Sequence, residues 1–450
     1  MSLYEPVFRH VLFPAYESGL RRRNTLRYLH EYEHNQWLPH DEIDALQWRK
    51  LKQLVEHCWN EVPYYRQRWK QLGLADAGDI RGPADYARLP VLTKQDIRDN
   101  FEQLIAPSYR AGLLYKTTGG STGEPLRFGY TRESYERRIA TMFRGYGWAG
   151  ARLGQRTLYL WGASLTPARL PGLKDSLYHA AFNRRMLNAF QMSEGRMAEY
   201  ADAIDAYKPD VIVSYVAPIL KMAEWMLANG RRLKAPQRIM TAAEALHEPQ
   251  RRIIEQAFGC PAYNTYGCRE VMLIAAECEH RNGLHLNADH LKVELGARID
   301  PSSDAAPSEL LITDLHNYGM PLLRYANGDL GTAASGACAC GRGLPRLASV
   351  DGRKLDALRT VDGHFIPGEF IVYIFLAASG IKRYQVVQRR LDALDITLVR
   401  DADFDESVLD LLRGELRKAV GTSIDCNFVY ADDIPLTPTG KFRVTISELA

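Results

Sequence analysis

The residues with the strongest chemical character lie in Thr117-Thr118-Gly119-Gly120-Ser121-Thr122-Gly123-Glu124-Pro125, a segment built almost wholly from small and polar side chains. Its three glycines let backbone amides turn inward and its four hydroxyls add donors, so it can wrap a polyphosphate as a nest. It is not the G-x-x-x-x-G-K-[ST] pattern, because no lysine follows the second glycine. Taken alone, the segment also fits a plain flexible turn. A second group is Cys278, His280, His285, Cys338 and Cys340. Two short ligand pairs, Cys278 with His285 and Cys338 with Cys340, can close a tetrahedral zinc, with His280 as a spare. The C-x-C spacing is tighter than the usual C-x2-C, and the bland alternative is a set of ordinary reduced thiols on loops.

Further blocks follow in order. Asn264-Thr265-Tyr266-Gly267-Cys268-Arg269-Glu270 comes after a short strand, and Thr313-Asp314-Leu315 leads to Pro321-Leu322-Leu323-Arg324-Tyr325-Ala326-Asn327-Gly328-Asp329. Gly352-Arg353 and Pro435-Leu436-Thr437-Pro438-Thr439-Gly440-Lys441-Phe442-Arg443 complete the series. This order resembles the adenylate-forming enzymes, which make acyl-AMP from a carboxylate and ATP. Pro63-Tyr64-Tyr65-Arg66 and Cys338-Ala339-Cys340-Gly341-Arg342 resemble segments of the phenylacetate:CoA ligase branch, some members of which carry a similar metal site.

The resemblance implies roles residue by residue. Thr117, Thr118, Gly119, Gly120, Ser121, Thr122 and Gly123 would hold the β- and γ-phosphates. Tyr266 and Gly267 would border the adenine, with Glu244 on a neighbouring strand end. Glu270 would ligate or orient magnesium. Asp329 would accept from the ribose hydroxyls with Arg353 near the same sugar, and Lys441 would reach the carboxylate and α-phosphate. Joining two anions is eased by cations and donors fixed where charge concentrates. Two departures stand out. Cys268 replaces the usual Ser or Thr, and Leu355 takes the first acidic position of the hinge, in Lys354-Leu355-Asp356.

These residues need elements to position them. Apolar spacing in Asp44 to His57 predicts a helix within a helical lead-in over 1–110. From 111 to about 350, short β-branched or aromatic runs alternate with amphipathic stretches. The runs are Thr157 to Trp161, Val211 to Tyr215, Arg238 to Ala242, Ala262 to Tyr266, Leu291 to Leu295 and Glu309 to Asp314. That alternation predicts an α/β unit whose crevice lies at the strand ends. An acyl pocket is expected there from Tyr146, Trp161, Tyr215 and Ala243. After residue 352 the pattern predicts strands at Tyr384 to Gln388, Ile396 to Arg400 and Asp425 to Tyr430, and a helix at Asp405 to Val420. The expected organisation is therefore a large multi-layer α/β domain over 1–352 and a small mobile α+β lid over 353–450. Arg21-Arg22-Arg23 reads as a solvated helix face.

Composition sets the outer limits. The 450 residues are 46% hydrophobic and 25% charged, as in globular proteins, and exceed one typical domain. Fifty-seven basic against fifty-four acidic residues leave +3, too little to draw the chain onto nucleic acid. The longest apolar runs, Val211 to Leu220 and Phe370 to Ile381, fall short of the roughly 20 residues of a membrane span. The start Met1-Ser2-Leu3-Tyr4-Glu5-Pro6 shows no signal-peptide pattern, so a cytoplasmic protein with reduced cysteines is expected.

The expected activity is formation of acyl-AMP from an aromatic or arylacetic acid, followed by transfer to coenzyme A. The partners are ATP, Mg2+, a small carboxylic acid and structural zinc, with a homodimer left open. One alternative passes the acyl group to an amine, a carrier protein or another nucleophile. The others are a non-catalytic nucleotide-binding relative and a zinc-stabilised binding module.

Overall fold

The computed structural model describes residues 4–118, 126–161, 179–189, 192, 194–234, 236–299, 306–353, 358–361, 365–366, 371, 374–375, 378–435 and 443–449. After a hairpin of β1 (Leu114–Thr117) and β2 (Arg127–Tyr130), one sheet of eleven strands dominates the chain. Its parallel half runs through β3 (Thr157–Trp161), β4 (Arg184–Asn188), β5 (Val211–Tyr215), β6 (Arg238–Ala242) and β7 (Ala262–Cys268). Its antiparallel half holds β8 (Met272–Glu277), β9 (Leu284–Leu286), β10 (Leu291–Arg298), β11 (Ser308–Asp314), β12 (Tyr325–Ala333) and β13 (Arg346–Arg353). The spatial order is β10-β11-β12-β13-β9-β8-β7-β6-β5-β3-β4.

The α/β alternation expected from 111 to about 350 therefore holds only as far as β7. Beyond it, β7 and β8 are joined by Arg269, Glu270 and Val271, too short for a crossover helix, and pairing turns antiparallel.

Strand β5 is buried throughout and shows how the parallel half is filled. Ile212 packs with Leu158, Ile239 and the helices Met197–Tyr207, Val216–Ala228 and Glu248–Phe258. Val211 and Val213, pointing the other way, pack with Met240, Tyr263 and Tyr146. Truncating Ile212 to alanine would cost about 2–5 kcal/mol.

The lead-in is helical as expected, with Thr25–Asn35, His40–Glu61 and Pro63–Gln71. Arg21–Arg23 departs from the expectation: it forms a non-helical corner before Thr25 rather than a helix face. The helix Arg132–Trp148 joins the lead-in to the sheet. Thr131 Oγ1 caps it by accepting from Ser134 N at 3.1 Å. At Gly145 a Cβ would lie 2.3 Å from Leu273 Cδ2, so a larger residue there would require the Leu273 side chain to shift.

Its inner face carries charge rather than oil. Arg138 pairs with Asp314 at 2.7 Å, and Ser134 Oγ donates to the same carboxylate at 3.0 Å. Arg144 pairs with Asp289 at 2.7 Å and also donates to Asn287 and the Tyr32 carbonyl. Tyr32 Oη meets His290 Nδ1 at 3.0 Å, and Asn35 Nδ2 donates to Asp289 at 3.3 Å. Burial pushes the Asp289 and Asp314 carboxyls up, but the facing guanidiniums outweigh it and hold both below their ordinary value.

A separate four-stranded sheet lies near the C-terminus, ordered β18-β17-β16-β19. It is built from β16 (Ile381–Arg390), β17 (Ala393–Arg400), β18 (Asp425–Tyr430) and β19 (Thr445–Ser447). The helix Ser407–Val420 closes its core with Leu412 and Leu416 against Val386, Leu394, Ile396 and Leu398. The two-residue strands β14 (Leu358–Arg359) and β15 (Phe365–Ile366) pair beside it. Among the described residues no helix is long and apolar enough to cross a membrane.

Candidate active site

The Gly/Ser/Thr segment leaves β1 at Thr117, whose backbone pairs with Arg127 on β2. Thr118 closes the neck of the loop. Its N–H donates to the Leu126 carbonyl at 2.8 Å, and its Oγ1 accepts from Leu126 N at 2.9 Å. Gly119, Gly120, Ser121, Thr122 and Gly123 lie outside the described residues. Leu126, where the chain re-enters β2, packs in the same core as Leu323 and Tyr325.

Strand β12 brings the acidic residues together. Its alternation puts Tyr325, Asn327 and Asp329 on one face. Tyr266 Oη donates to Asp329 Oδ2 at 2.9 Å, and Asn327 Nδ2 donates to that oxygen at 2.6 Å and to Tyr266 Oη at 2.9 Å. Asn327 Oδ1 accepts from Asp329 N at 3.0 Å, so both ends of the amide are used. Tyr325 Oη donates to Glu270 Oε1 at 2.7 Å. Glu270 and Asp329 are both buried. Burial, then the facing carboxylate, pushes each phenol well above its ordinary value, so the protons stay on Tyr266 and Tyr325.

Gly267 sits at a bulge in the β7–β8 pair, where a Cβ would lie 2.2 Å from the Met272 carbonyl oxygen. Cys268 follows it. Burial, then Glu270 and Asp329, push its thiol well above the ordinary value, so it stays protonated beside them. The backbone of Arg353, the last residue of β13, lies opposite Asp329. Lys441 and the hinge residues Lys354, Leu355 and Asp356 lie outside the described residues.

The expected acyl-pocket residues separate into two sets. Trp161 and Tyr215 end β3 and β5 with ring centroids 4.2 Å apart, and Tyr215 pairs with Ala242 on β6. Ala243 follows with φ of 68°, a left-handed conformation held at the strand end. Glu244 Oε2 then accepts from Ala217 N at 2.7 Å, in the first turn of the helix Val216–Ala228. Tyr146 sits deeper. It lines a small cavity with Thr157 and Val211, at the opposite ends of β3 and β5.

The four expected metal ligands meet. One ligand atom each from Cys278, His285, Cys338 and Cys340 lies within 4.8 Å of the others. Cys278 and Cys338 sulfurs are 3.8 Å apart, and Cys340 Sγ is 3.3 Å from His285 Nε2. A tetrahedral zinc with bonds of about 2.3 Å to sulfur needs sulfurs about 3.8 Å apart, so the donor set fits. His285 turns Nδ1 to the Leu344 carbonyl at 3.4 Å, which leaves Nε2 for the metal. Burial pushes His285 down to about 4, so its imidazole is neutral at pH 7. His280 is exposed and outside the group.

Sequence reasoning assigned no role to Tyr325 and Asn327. Their signal was spacing, since positions two and four before Asp329 share its face of a strand.

Comparison with known proteins adds a lineage to this geometry. Residues 358–448 match the family model described as the CapK C-terminal domain. The phenylacetate-coenzyme A ligase of Thermus thermophilus is 28% identical over 372 residues, covering 80% of this chain and 81% of that protein. The enzyme of the same name from Escherichia coli (strain K12) is 28% identical over 428 residues, covering 90% and 94%. Among solved structures, 2-hydroxyisobutyryl-CoA ligase in the postadenylation state with R3-HIB-AMP superposes with a TM-score of 0.73. At 19% identity and 92% coverage of both chains, that likeness establishes a shared fold.

Proposed function

We propose that this homologue of the phenylacetate-coenzyme A ligases, among the adenylate-forming enzymes, activates a carboxylic acid with ATP and passes the acyl group to coenzyme A. A carboxylate oxygen attacks the α-phosphorus, the bond to the β-phosphate oxygen breaks and pyrophosphate leaves. The coenzyme A sulfur then attacks the acyl carbon and AMP departs. An aromatic or arylacetic acid is the proposed substrate class.

The observation that carries the reading is the convergence on β12. Glu270 and Asp329 each take a hydrogen bond from a buried tyrosine, and the re-entry of the Gly/Ser/Thr loop packs in the same core as Tyr325. Asp329, oriented by Tyr266 and Asn327, would accept from the ribose hydroxyls, with Arg353 on the paired strand beside it. Tyr266 and Gly267 would border the adenine. Thr117 to Gly123 would supply donors to the leaving phosphates. Glu270 fits magnesium, which takes one or two carboxylates and completes its shell with phosphate oxygens and water. Magnesium, when bound, neutralises the charge that builds on those oxygens.

Residues 353–450 would act as a lid that brings Lys441 to the α-phosphate and turns after adenylation. Support comes from the separate sheet and core of this segment and its match to a known domain. Cys278, His285, Cys338 and Cys340 would hold a structural zinc at the opposite end of β8 from Glu270. Leu355, where the resembled hinge is acidic, favours a second reading in which an amine or a carrier-protein thiol replaces coenzyme A.

The test is acid-dependent ATP–pyrophosphate exchange across benzoates, arylacetates, hydroxycinnamates and short fatty acids, followed by thioester detection with and without coenzyme A. Exchange with no acid would sink the adenylation reading. Exchange without thioester at millimolar coenzyme A would transfer the case to another acceptor.

A further inference from the structure

A cavity of about 440 Å3 opens between the Arg21–Arg23 corner and one face of the β1–β2 hairpin. Its lining is Arg21, Arg23, Leu114, Lys116, Tyr130, Arg132 and Tyr135, none of which has a part in the chemistry proposed above. Its volume is within the roughly 300–1,000 Å3 of small-molecule sites.

Four of these side chains are cations, and two are already neutralised. Arg23 pairs with Glu17 at 3.3 Å, and Arg132 pairs with Glu136 at 2.9 Å. Arg132 also donates to the carbonyls of Arg21 and Arg22, which fixes the corner against the helix Arg132–Trp148. Lys116 and Arg21 have no carboxylate partner among the described residues. Lys116 is the more costly. Its ammonium is held 5.3 Å from the ring centroids of both Tyr130 and Tyr135, a half-buried position that strips water from it. Burial lowers its pKa, and Arg138, itself paired with Asp314, and Arg269 push it the same way. A desolvated cation among cations is unfavourable unless an anion completes the site.

We infer that this cavity is a phosphate-binding site, which takes a phosphate monoester or diphosphate dianion between Lys116 and Arg21. Two uncompensated positive charges match a dianion. A guanidinium fork and an ammonium are the two side-chain groups best suited to phosphate oxygens. Free pyrophosphate and the phosphates of a nucleotide share this chemistry. The site does not rest on the adenylation reading.

The test is equilibrium titration of the full chain, without acid or ATP, using inorganic pyrophosphate and adenosine 3′,5′-bisphosphate as separate probes. Lys116→Gln combined with Arg21→Gln should weaken at least one probe about ten-fold or more, the scale of losing charge-assisted contacts. Lys116→Arg with Arg21→Lys keeps both charges but alters donor geometry, so it should lose clearly less affinity than the glutamine variant. A loss for pyrophosphate alone assigns the site to free phosphate, and a loss for the bisphosphate alone assigns it to a nucleotide. Absence of binding to the parent, or equal binding by parent and glutamine variant, would overturn the proposal. So would an equal loss in the charge-retaining variant, because the effect would then be structural. A chain inactive in pyrophosphate exchange would still give a decisive titration.

Discussion

Tyr325 on β12 donates a 2.7 Å hydrogen bond to Glu270, in the turn that follows β7, and so joins the two halves of the proposed nucleotide site. Without the phenol, a buried carboxylate would keep its desolvation cost and lose its orientation, a change of about 1–3 kcal/mol. Tyr325→Phe should slow pyrophosphate exchange about ten-fold and raise the magnesium concentration needed for half-maximal rate. An unchanged magnesium midpoint in a folded variant would mean that Tyr325 only fills space.

Asp329→Ala should raise KM for ATP with little change in kcat, because ribose contacts persist through the reaction and act as uniform binding. Asn327→Ala should move KM the same way by a smaller factor, since it removes one of the donors to Asp329. Preference among acids should stay as in the parent. Steady-state kinetics over several acids decide this, and an unaltered KM in Asp329→Ala would remove the ribose assignment.

Lys441→Ala should cost roughly 10²–10³ in adenylation rate, the scale of one preorganised donor at the site of developing charge. Thioester formation from supplied acyl-AMP should survive. Equal losses in the two half-reactions would point to a structural lysine.

Elemental analysis should find one zinc per chain, retained after dialysis. Structural zinc supplies on the order of 10 kcal/mol in small domains. Cys338→Ser with Cys340→Ser should therefore lower Tm more than turnover per folded molecule. A metal-free preparation of full stability would refute the zinc assignment.

Arg144→Leu would strand the Asp289 carboxylate in the interior, and unfolding free energy at pH 7 should fall by about 3–5 kcal/mol. The parent's Asp289 has a lowered pKa, so its pairing stabilises above the unfolded carboxylate value of about 4 and is lost as pH falls through the folded value. In the variant, burial raises the carboxyl, which takes up a proton more readily. The gap between the two proteins should narrow from pH 7 to pH 4 in denaturant titrations.

Much of the proposed nucleotide site was legible because its parts are short and local. Val211–Tyr215 and Arg238–Ala242 are strands over the expected residues, Tyr266 bonds Asp329, and Glu270 is held by Tyr325 from the same strand as Asp329. The Cys/His group was legible for the same reason, since few residue types make such ligand pairs. Arg144 and Asp289 were not. They are 145 positions apart, and each looks like a solvated charge until the fold buries both. Arg21 misled because three adjacent arginines suggest a surface helix, whereas the carbonyls of Arg21 and Arg22 are held by Arg132 in a fixed corner. The antiparallel half of the sheet was missed because its strands resemble those of an α/β unit and differ only in the length of the turns between them.

The stitching of the lead-in to the sheet has a consequence for biosynthesis. Tyr32 and His290 are 258 positions apart, and Asn35 and Asp289 are 254 apart. At roughly 5–20 residues per second, a ribosome takes on the order of 13–50 s to reach the partner after making the tyrosine. During that interval the helices Thr25–Asn35 and His40–Glu61 have been made but lack the polar groups that tie them down. Their apolar faces are then the part of the nascent chain most in need of a chaperone, and slowing translation lengthens that exposure.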